Sequence, residues 1–428
     1  MKDDFLNDEN NETEKYYVLG RKEKGKDGSL KIGRYYALDS SLGADVYVDA
    51  LHPHIILIRG KRGYGKSYTA GVFIEEIGNL EKELRKNLGV VVFDTLGIFW
   101  TMNYKNRDAR DKLKMWSMEP KNLDINLMVP KKYVEEYKNN GIDASSFSLR
   151  VSELSVHHWL QLFDVKFTEP FGIALTRTVQ KMQLSSDRFS INDLLNCIKN
   201  DERCDDRVKG VAENLLSIAE SWGVFDEDGI SINDLVSGGR ITILDVSYLS
   251  DDNLKNIVLS IVAEKIFEER IRERKIHEQE KMGISYKRKG IPMVWLVIDE
   301  AQLFLPDDKQ ILSKDILINT WMRQGRQPGL SLVMATQRPS ALEPEVLSHS
   351  DMILCHRLTS QEDIDALSKI RPTYMHGDIK ESIQKIGDEK GVALFIDDNS
   401  ESIHIVKIRP RLSWHGGSES MVMEPALK

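Results

Sequence analysis

Apolar residues in this chain gather in short unbroken runs that end at a glycine, an acid or an amide. The runs are "HIILIRG" (54–60), "GVVVFDT" (89–95), "RITILDV" (240–246), "VWLVIDE" (294–300), "LSLVMATQ" (330–337) and "DMILCHRL" (351–358). A run of this length that is apolar throughout reads as a strand covered on both faces. Between the runs the period changes. "SYTAGVFIEEIGNLEKELRKN" (67–87) and "NLKNIVLSIVAEKIFEERIRERKIHEQE" (253–280) repeat apolar residues every three or four positions and predict helices. Residues 105–238 show the same helical spacing, as in "DLLNCIKNDE" and "VKGVAENLLSIAESWGVF", and read as a mostly helical insertion. "VALFID" and "IHIVKIR" flank "DNSES" as a terminal hairpin.

Ahead of the first run lie an acidic, Asn-rich tail, the turn-rich "RKEKGKDGSLKIGRYY" (21–36) and a short alternating strand, "ADVYVDA" (44–50). Strands alternating with helices predict an α/β fold, a doubly wound and largely parallel sheet with helices on both faces. The expected organisation is a tail and short extension (1–44), the first part of an α/β core (45–104), the helical insertion (105–238), the second part of the core with the hairpin (239–411) and a tail (412–428).

Composition narrows the class. The 428 residues are 41% hydrophobic and 29% charged, as in an ordinary globular protein. No apolar stretch approaches the roughly 20 residues that span a bilayer. The start, "MKDDFLNDENNETE", is not a signal peptide, so a cytoplasmic protein without membrane partners is expected. Cys197, Cys204 and Cys355 lack metal-ligand spacing and read as reduced thiols. A net charge of −8 excludes a globally basic nucleic-acid binder and confines any such contact to a restricted surface.

The candidate chemistry sits where strands end. Gly60-Lys61-Arg62-Gly63-Tyr64-Gly65-Lys66-Ser67 fits G-x-x-x-x-G-K-[ST] between a strand and a helix. Glycines let the loop curl its N–H groups toward phosphate oxygens, and the helix adds its positive end. Gly60, Gly63, Tyr64, Gly65, Lys66, Ser67 and Tyr68 are therefore the expected nucleotide contacts, with Lys66 on the β- and γ-phosphates and Ser67 on Mg²⁺. Asp299, closing a buried strand, is placed to support Mg²⁺, and Glu300 beside it to polarise water, which favours hydrolysis. Gln337 ends another strand at the edge where open α/β sheets bind ligands. Arg323 and Arg326, three apart, share a helix face if the helix persists, and are candidates for a guanidinium supplied to a γ-phosphate. His157 and His158 read as partial core rather than metal ligands, and Lys287, Arg288 and Lys289 as a solvated run able to touch a phosphate backbone.

Taken in order, "GKRGYGKS", "VVVFDTLGIF", "WLVIDEAQLF", "MRQGRQPGLSLVMATQRPSALEPEVLSHSDMILCHRL" and "GVALFIDDNSESIHIVKIRPRL" resemble the P-loop ATPases of the HerA–FtsK superfamily, HerA most closely, over about residues 45–411. The resemblance implies a RecA-like P-loop NTPase core and a homo-hexameric ring with ATP and Mg²⁺ between subunits. Double-stranded DNA would pass through the pore of this helicase or translocase. It gives Glu300 the water, Gln337 the γ-phosphate, and Arg323 or Arg326 a role in trans. A scaffold that organises a nuclease or other effector is the alternative, and a conjugation- or FtsK-type pump a third, disfavoured by the lack of a membrane segment. Fewer than sixty residues precede the loop, where HerA-like proteins carry a longer β-barrel that docks a nuclease. Arg62 and Tyr64 replace small residues, Ile98 follows Gly97 where an acid is frequent, and Gln302 replaces a histidine.

Overall fold

The structure is a computed structural model that describes residues 15–23, 25–37, 39–284, 290–368 and 389–417. Lys287, Arg288 and Lys289 lie outside the described residues. The fifteen strands among the described residues, in chain order, are β1 (Tyr16–Leu19), β2 (Ser29–Tyr36), β3 (Leu42–Asp49), β4 (Ile55–Arg59), β5 (Leu88–Asp94), β6 (Ile125–Pro130), β7 (Ser145–Phe147), β8 (Leu149–Arg150), β9 (Phe225–Asp226), β10 (Ile241–Asp245), β11 (Met293–Ile298), β12 (Leu330–Thr336), β13 (Met352–Cys355), β14 (Val392–Asp397) and β15 (Ser402–Ile408). Thirteen of them form one sheet in the order β1-β3-β2-β15-β14-β13-β4-β12-β11-β5-β10-β6-β7, and β8 pairs with β9 apart from it. From β13 to β7 every pairing is parallel. The β14–β15 hairpin then adds antiparallel strands at the β13 side, and β2 continues from β15. The expected α/β fold with a largely parallel core is the fold observed.

Each predicted run is buried because both faces of the sheet are covered. Along β5, Val91 and Phe93 join one core while Val90 and Val92 join the other. The first core includes residues of the helices Pro170–Ser185, Ile191–Lys199, Asp206–Ser221 and Asp252–Lys281. The second is closed by α1 (Lys66–Asn79) and the segment around Phe99–Tyr137. The long helix starts where Asp251 accepts from the N–H groups of Asn253 and Leu254, satisfying donors that have no partner within a helix.

Three stretches differ from expectation, one of them 412–417, expected as part of a flexible tail but hydrogen-bonded to Glu75 and to residues 104–121. Within 105–238, β6 and β7 extend the main sheet, although helices dominate the rest of the stretch. β6, INLMVP, carries Asn126 near its start and closes on Pro130, and β7 is only the tripeptide Ser145-Ser146-Phe147, so neither reads as an unbroken apolar run. The turn-rich 21–36 contains β2, whose Leu30 and Ile32 are buried against the core while lysine and arginine alternate with them. Residues 16–49 thus extend the sheet through the β15–β2 pairing.

After β15 the chain turns back along α1 and is fixed there by a carboxylate without access to water. Glu75 accepts from Arg409 Nη1 at 2.8 Å and Arg411 Nε at 3.2 Å, and from the backbone N–H groups of Leu412 and Ser413 at 3.0 and 2.9 Å. Arg409 also pairs with Glu76 at 2.7 Å. Burial pushes the Glu75 carboxyl up, but the two guanidinium groups outweigh it and hold it below the ordinary carboxylate value. On its other flank the segment is tied to residues 104–121: Asn106 N–H and Lys121 N–H both donate to the Leu412 carbonyl at 3.0 Å, and Trp414 N–H donates to that of Tyr104 at 2.7 Å. Glu75→Gln removes the charge that two buried arginines require. It should cost about 3–5 kcal/mol of stability, read as a lowered urea midpoint; an unchanged midpoint would remove this network from the account of the fold.

Candidate nucleotide site

The parallel strands deliver their ends to one edge of the sheet. β4 runs into the glycine loop, β11 into Asp299 and Glu300, β12 into Gln337, β5 ends at Asp94, β10 at Asp245, and β13 is followed by His356 and Arg357. The loop needs glycine at two of its positions for separate reasons. A Cβ at Gly60 would come within 2.6 Å of His356 Cβ, and Gly65, with φ of 109°, takes a left-handed conformation just before the first turn of α1. Lys66 Nζ donates to the Lys61 carbonyl at 3.2 Å, so the lysine folds back over its own loop. Its burial pushes the ammonium pKa down, against the attraction of Glu300 and Asp299.

The candidate metal and water groups meet this loop directly. Ser67 Oγ donates to Asp299 Oδ2 at 2.7 Å, joining the start of α1 to the end of β11. Asp299 is 1% exposed, and burial pushes its carboxyl up to about 6. A hydroxyl and a hard carboxylate oxygen in contact beside a phosphate loop fit the ligand preference of Mg²⁺. Glu300 adopts φ of 53°, a left-handed conformation that is uncommon away from glycine and that concentrates at functional sites. Its carboxylate accepts from the side-chain amides of both Gln337 and Gln302. Gln302 in turn accepts from Thr336 Oγ1 at 2.8 Å, so one amide bridges the ends of β11 and β12. Gln302 therefore supplies a donor to Glu300 and an acceptor to Thr336.

Three further groups stand at this edge beyond the candidate site residues. His356 is buried between α1 and β14: Thr69 Oγ1 lies 2.9 Å from Nε2, and the Val392 carbonyl lies 3.0 Å from Nδ1. The carbonyl only accepts, so Nδ1 carries the proton and Nε2 accepts from threonine. Arg357 donates to the Tyr64 hydroxyl at 2.9 Å with its guanidinium 5.3 Å from the ring centroid, which explains an aromatic residue in a loop that favours small ones. Beside them, Asp94 accepts from the N–H groups of Leu96, Gly97 and Phe99. Burial, and then the neighbouring Asp245 carboxylate, push its carboxyl up to about 8.

Not every candidate joins this edge. Helical backbone ends at Gln324 and Arg326 lies in the following turn, so the two arginines do not share a helix face. Both precede β12 and lie at its other end. Arg323 is half-exposed and pairs with Glu345, with Nε 3.0 Å from the carboxylate. Arg326 lines a cavity with Pro53 and His54, ahead of β4. His158 is core, as expected, and closes a capping box with Ser155, whereas His157, expected beside it, is exposed. Among the described residues no cluster of three His, Cys, Asp or Glu side chains could hold a metal, and no helix is long and apolar enough to cross a membrane.

Residues 30–266, more than half of the chain, match the family described as Helicase HerA, central domain. The chain belongs to the HerA central-domain family. The DNA double-strand break repair helicase HerA of Sulfurisphaera tokodaii is 24% identical over 335 residues, which make up 75% of this chain and 58% of that protein. Its namesake from Saccharolobus solfataricus is 21% identical over 329 residues, 76% of this chain and 57% of the relative. The chain thus spans less than two thirds of the length of these HerA relatives. VirB4 of Thermoanaerobacter pseudethanolicus superposes with a TM-score of 0.57 at 15% identity, covering 91% of this chain and 98% of that one. The HerA-family chain accordingly has the RecA-like P-loop ATPase core, with the glycine loop on β4 and the acids on β11.

His356 offers a test of how the loop of this HerA-family member is held. Burial pushes its imidazole down to about 4, below the value near 6.5 of an unfolded chain. The unfolded state therefore binds more protons between these values, and the stability that neutral His356 contributes is present above about pH 6.5 and is lost as pH falls toward 4. Urea unfolding at pH 7 and pH 5 should show this loss in the wild type and a smaller one in His356→Asn; equal losses would refute it.

Proposed function

We propose that the chain is a ring-forming, Mg-dependent ATPase that moves along or remodels double-stranded DNA. The observation that carries the reading is the contact of Ser67 with Asp299 beside Lys66, with Glu300 held by two amides at the same edge. In this reading the loop N–H groups and Lys66 hold the phosphates, while Ser67 and Asp299 hold Mg²⁺, which neutralises phosphate charge. Glu300 takes a proton from the attacking water. Gln337, which donates to Glu300, is positioned to register the γ-phosphate and pass its loss to β12. The HerA relatives are named as DNA repair helicases, and that similarity supports DNA as the track.

A restricted DNA-binding surface is compatible with the net charge of −8, since phosphate contacts need only a local cationic lining. Arg323 and Arg326 lie away from their own chain's loop, an arrangement that suits donation to a neighbouring subunit in a hexameric ring. The expected partners are therefore other copies of this chain and duplex DNA, with a nuclease or effector as a possible addition.

Lys66→Ala should abolish ATP hydrolysis. Glu300→Gln should lower kcat by about 100-fold or more, the scale of a lost general base, while retaining nucleotide binding. Steady-state assays with and without linear duplex DNA, run beside mass measurement in solution, check the reading. DNA-stimulated hydrolysis in a ring-sized species supports the motor, whereas a ring indifferent to DNA supports the scaffold. Activity intact in Lys66→Ala would overturn the site.

The trans role has its own test. Rings mixed from Arg323→Ala or Arg326→Ala with Glu300→Gln should recover part of the activity, because some interfaces then pair an intact arginine with an intact glutamate. No recovery in demonstrably mixed rings counts against it.

A further inference from the structure

One short stretch runs against the charge of the chain. Residues 105–114, "KNRDARDKLK", set five cations, Lys105, Arg107, Arg110, Lys112 and Lys114, against two acids, Asp108 and Asp111, a net of +3 in a molecule of −8. All five cations are exposed, and among the described residues none of them makes an ion pair. Arg110 and Lys114 lie four apart on the helix Arg110–Met115 and share a face. A run of cations left unpaired in an acidic chain is a local field that favours a polyanion.

The run opens onto aromatic rings. Lys105 and Arg107 line a groove of about 900 Å³ whose walls include Trp100, Tyr104 and Trp414, and the side-chain amides of Asn103, Asn122 and Asn140 belong to the same lining. Tyr104 is 48% exposed and meets Trp100 edge to face, with centroids 5.9 Å apart. The rings stand on fixed backbone. Trp414 N–H donates to the Tyr104 carbonyl at 2.7 Å, Thr101 Oγ1 donates to the Trp414 carbonyl at 3.1 Å, and Gly416 N–H donates to Thr101 Oγ1 at 3.1 Å. Asn106, between two of the cations, is buried and its amide donates to the Arg411 carbonyl at 3.1 Å. A ligand therefore meets groups already in place, which lowers the entropic cost of binding.

An acidic protein segment would use the cations alone. Unpaired bases would use the whole groove, because their faces stack on aromatic rings and their edges both donate to and accept from amides. A duplex keeps its base faces inside its own stack. We infer that this groove binds single-stranded nucleic acid: backbone phosphates lie along Lys105, Arg107 and Arg110, and a base stacks on Tyr104 in the space walled by Trp100 and Trp414. The groove's lining does not include the glycine loop, Asp299, Glu300 or Gln337, so the inference does not rest on the ATPase reading. It adds a single-strand contact to a chain whose proposed track is duplex.

Anisotropy of a labelled oligothymidylate, titrated with the full chain in EDTA without nucleotide and compared with a labelled duplex of equal length, tests the site. Tyr104→Ala should weaken the single strand roughly tenfold, the scale of one lost base–aromatic stack, and leave the duplex within about twofold. Tyr104→Phe, which keeps the ring, should restore binding. The double variant Arg107→Ala, Arg110→Ala should flatten the salt dependence of oligothymidylate binding, by about 0.7 in slope for each cation removed. No binding by the wild type, unchanged affinity in Tyr104→Ala, or an equal loss for the duplex would overturn the inference. Displacement of the oligothymidylate by polyglutamate at equal charge concentration would also overturn it, in favour of an acidic protein partner. Lys66→Ala should bind oligothymidylate as the wild type does, so this reading and that of the phosphate loop fail separately.

Discussion

Glu75 is the constraint from which the geometry of this edge follows. It lies on α1, the helix that begins at Lys66, and it holds Arg409 and Arg411, two residues apart just after the last strand. A carboxylate stripped of water is tolerable only when its charge is matched, and each guanidinium is tolerable for the same reason. The consequence is that α1 cannot move against the C-terminal segment without exposing unpaired charge. The glycine loop, the start of α1 and the last strand are therefore one mechanical unit. The antiparallel hairpin β14–β15, which looks peripheral in the strand order, serves this end by bringing residues 409–417 across the helix.

Within that unit the polar groups are arranged so that each acid is held by a different chemistry. Asp299 is held by a hydroxyl, Glu300 by two amides and Asp94 by three backbone N–H groups. These differences decide protonation. Asp94 and Asp299 are nearly inaccessible and are pushed upward, while neither is matched by a direct ion pair of the kind that holds Glu75 down. Burial thus disfavours the ionised form of both, and a divalent cation beside Asp299 would favour its carboxylate. Gln302 completes the arrangement by linking Glu300 to Thr336, so that a displacement of β12 is felt at the carboxylate.

Much of this was legible in the sequence, for a physical reason: strands covered on both faces must be apolar throughout, and the loops at their ends must be polar. The runs at 54–60, 89–95, 240–246, 294–300 and 330–337 each contain a core strand, and the residues at their ends are those gathered at the edge. Strands that pair at the sheet's margins were harder to read. β2 carries Lys31 and Arg34 among its apolar positions because Asp45 on β3 pairs with both. β7 is polar because Ser145 and Ser146 are exposed at the margin. His356 and Arg357 left no sequence signal because what they touch, Thr69, Val392 and Tyr64, is remote along the chain. Tyr64 was visible as an irregularity in the loop, and its partner supplies the reason.

The arginines show where reading by spacing stops. An i, i+3 pair is meaningful only on a continuing helix, and Gly325 closes the helix between them, leaving Arg323 in a surface ion pair and Arg326 beside the start of β12. A strand rises about 3.3 Å per residue, so the seven residues of β12 set Gln337 on the order of 20 Å or more from either arginine. No rotamer change spans that distance. Within one chain neither guanidinium reaches the phosphate loop. Of the cations near a chain's own loop, Lys66 is bent over the loop backbone and Arg357 is stacked on Tyr64, while Lys61 and Arg62 belong to the loop itself. A single chain thus gathers the candidate groups for phosphate and water at one edge of the sheet while Arg323 and Arg326 lie at the other.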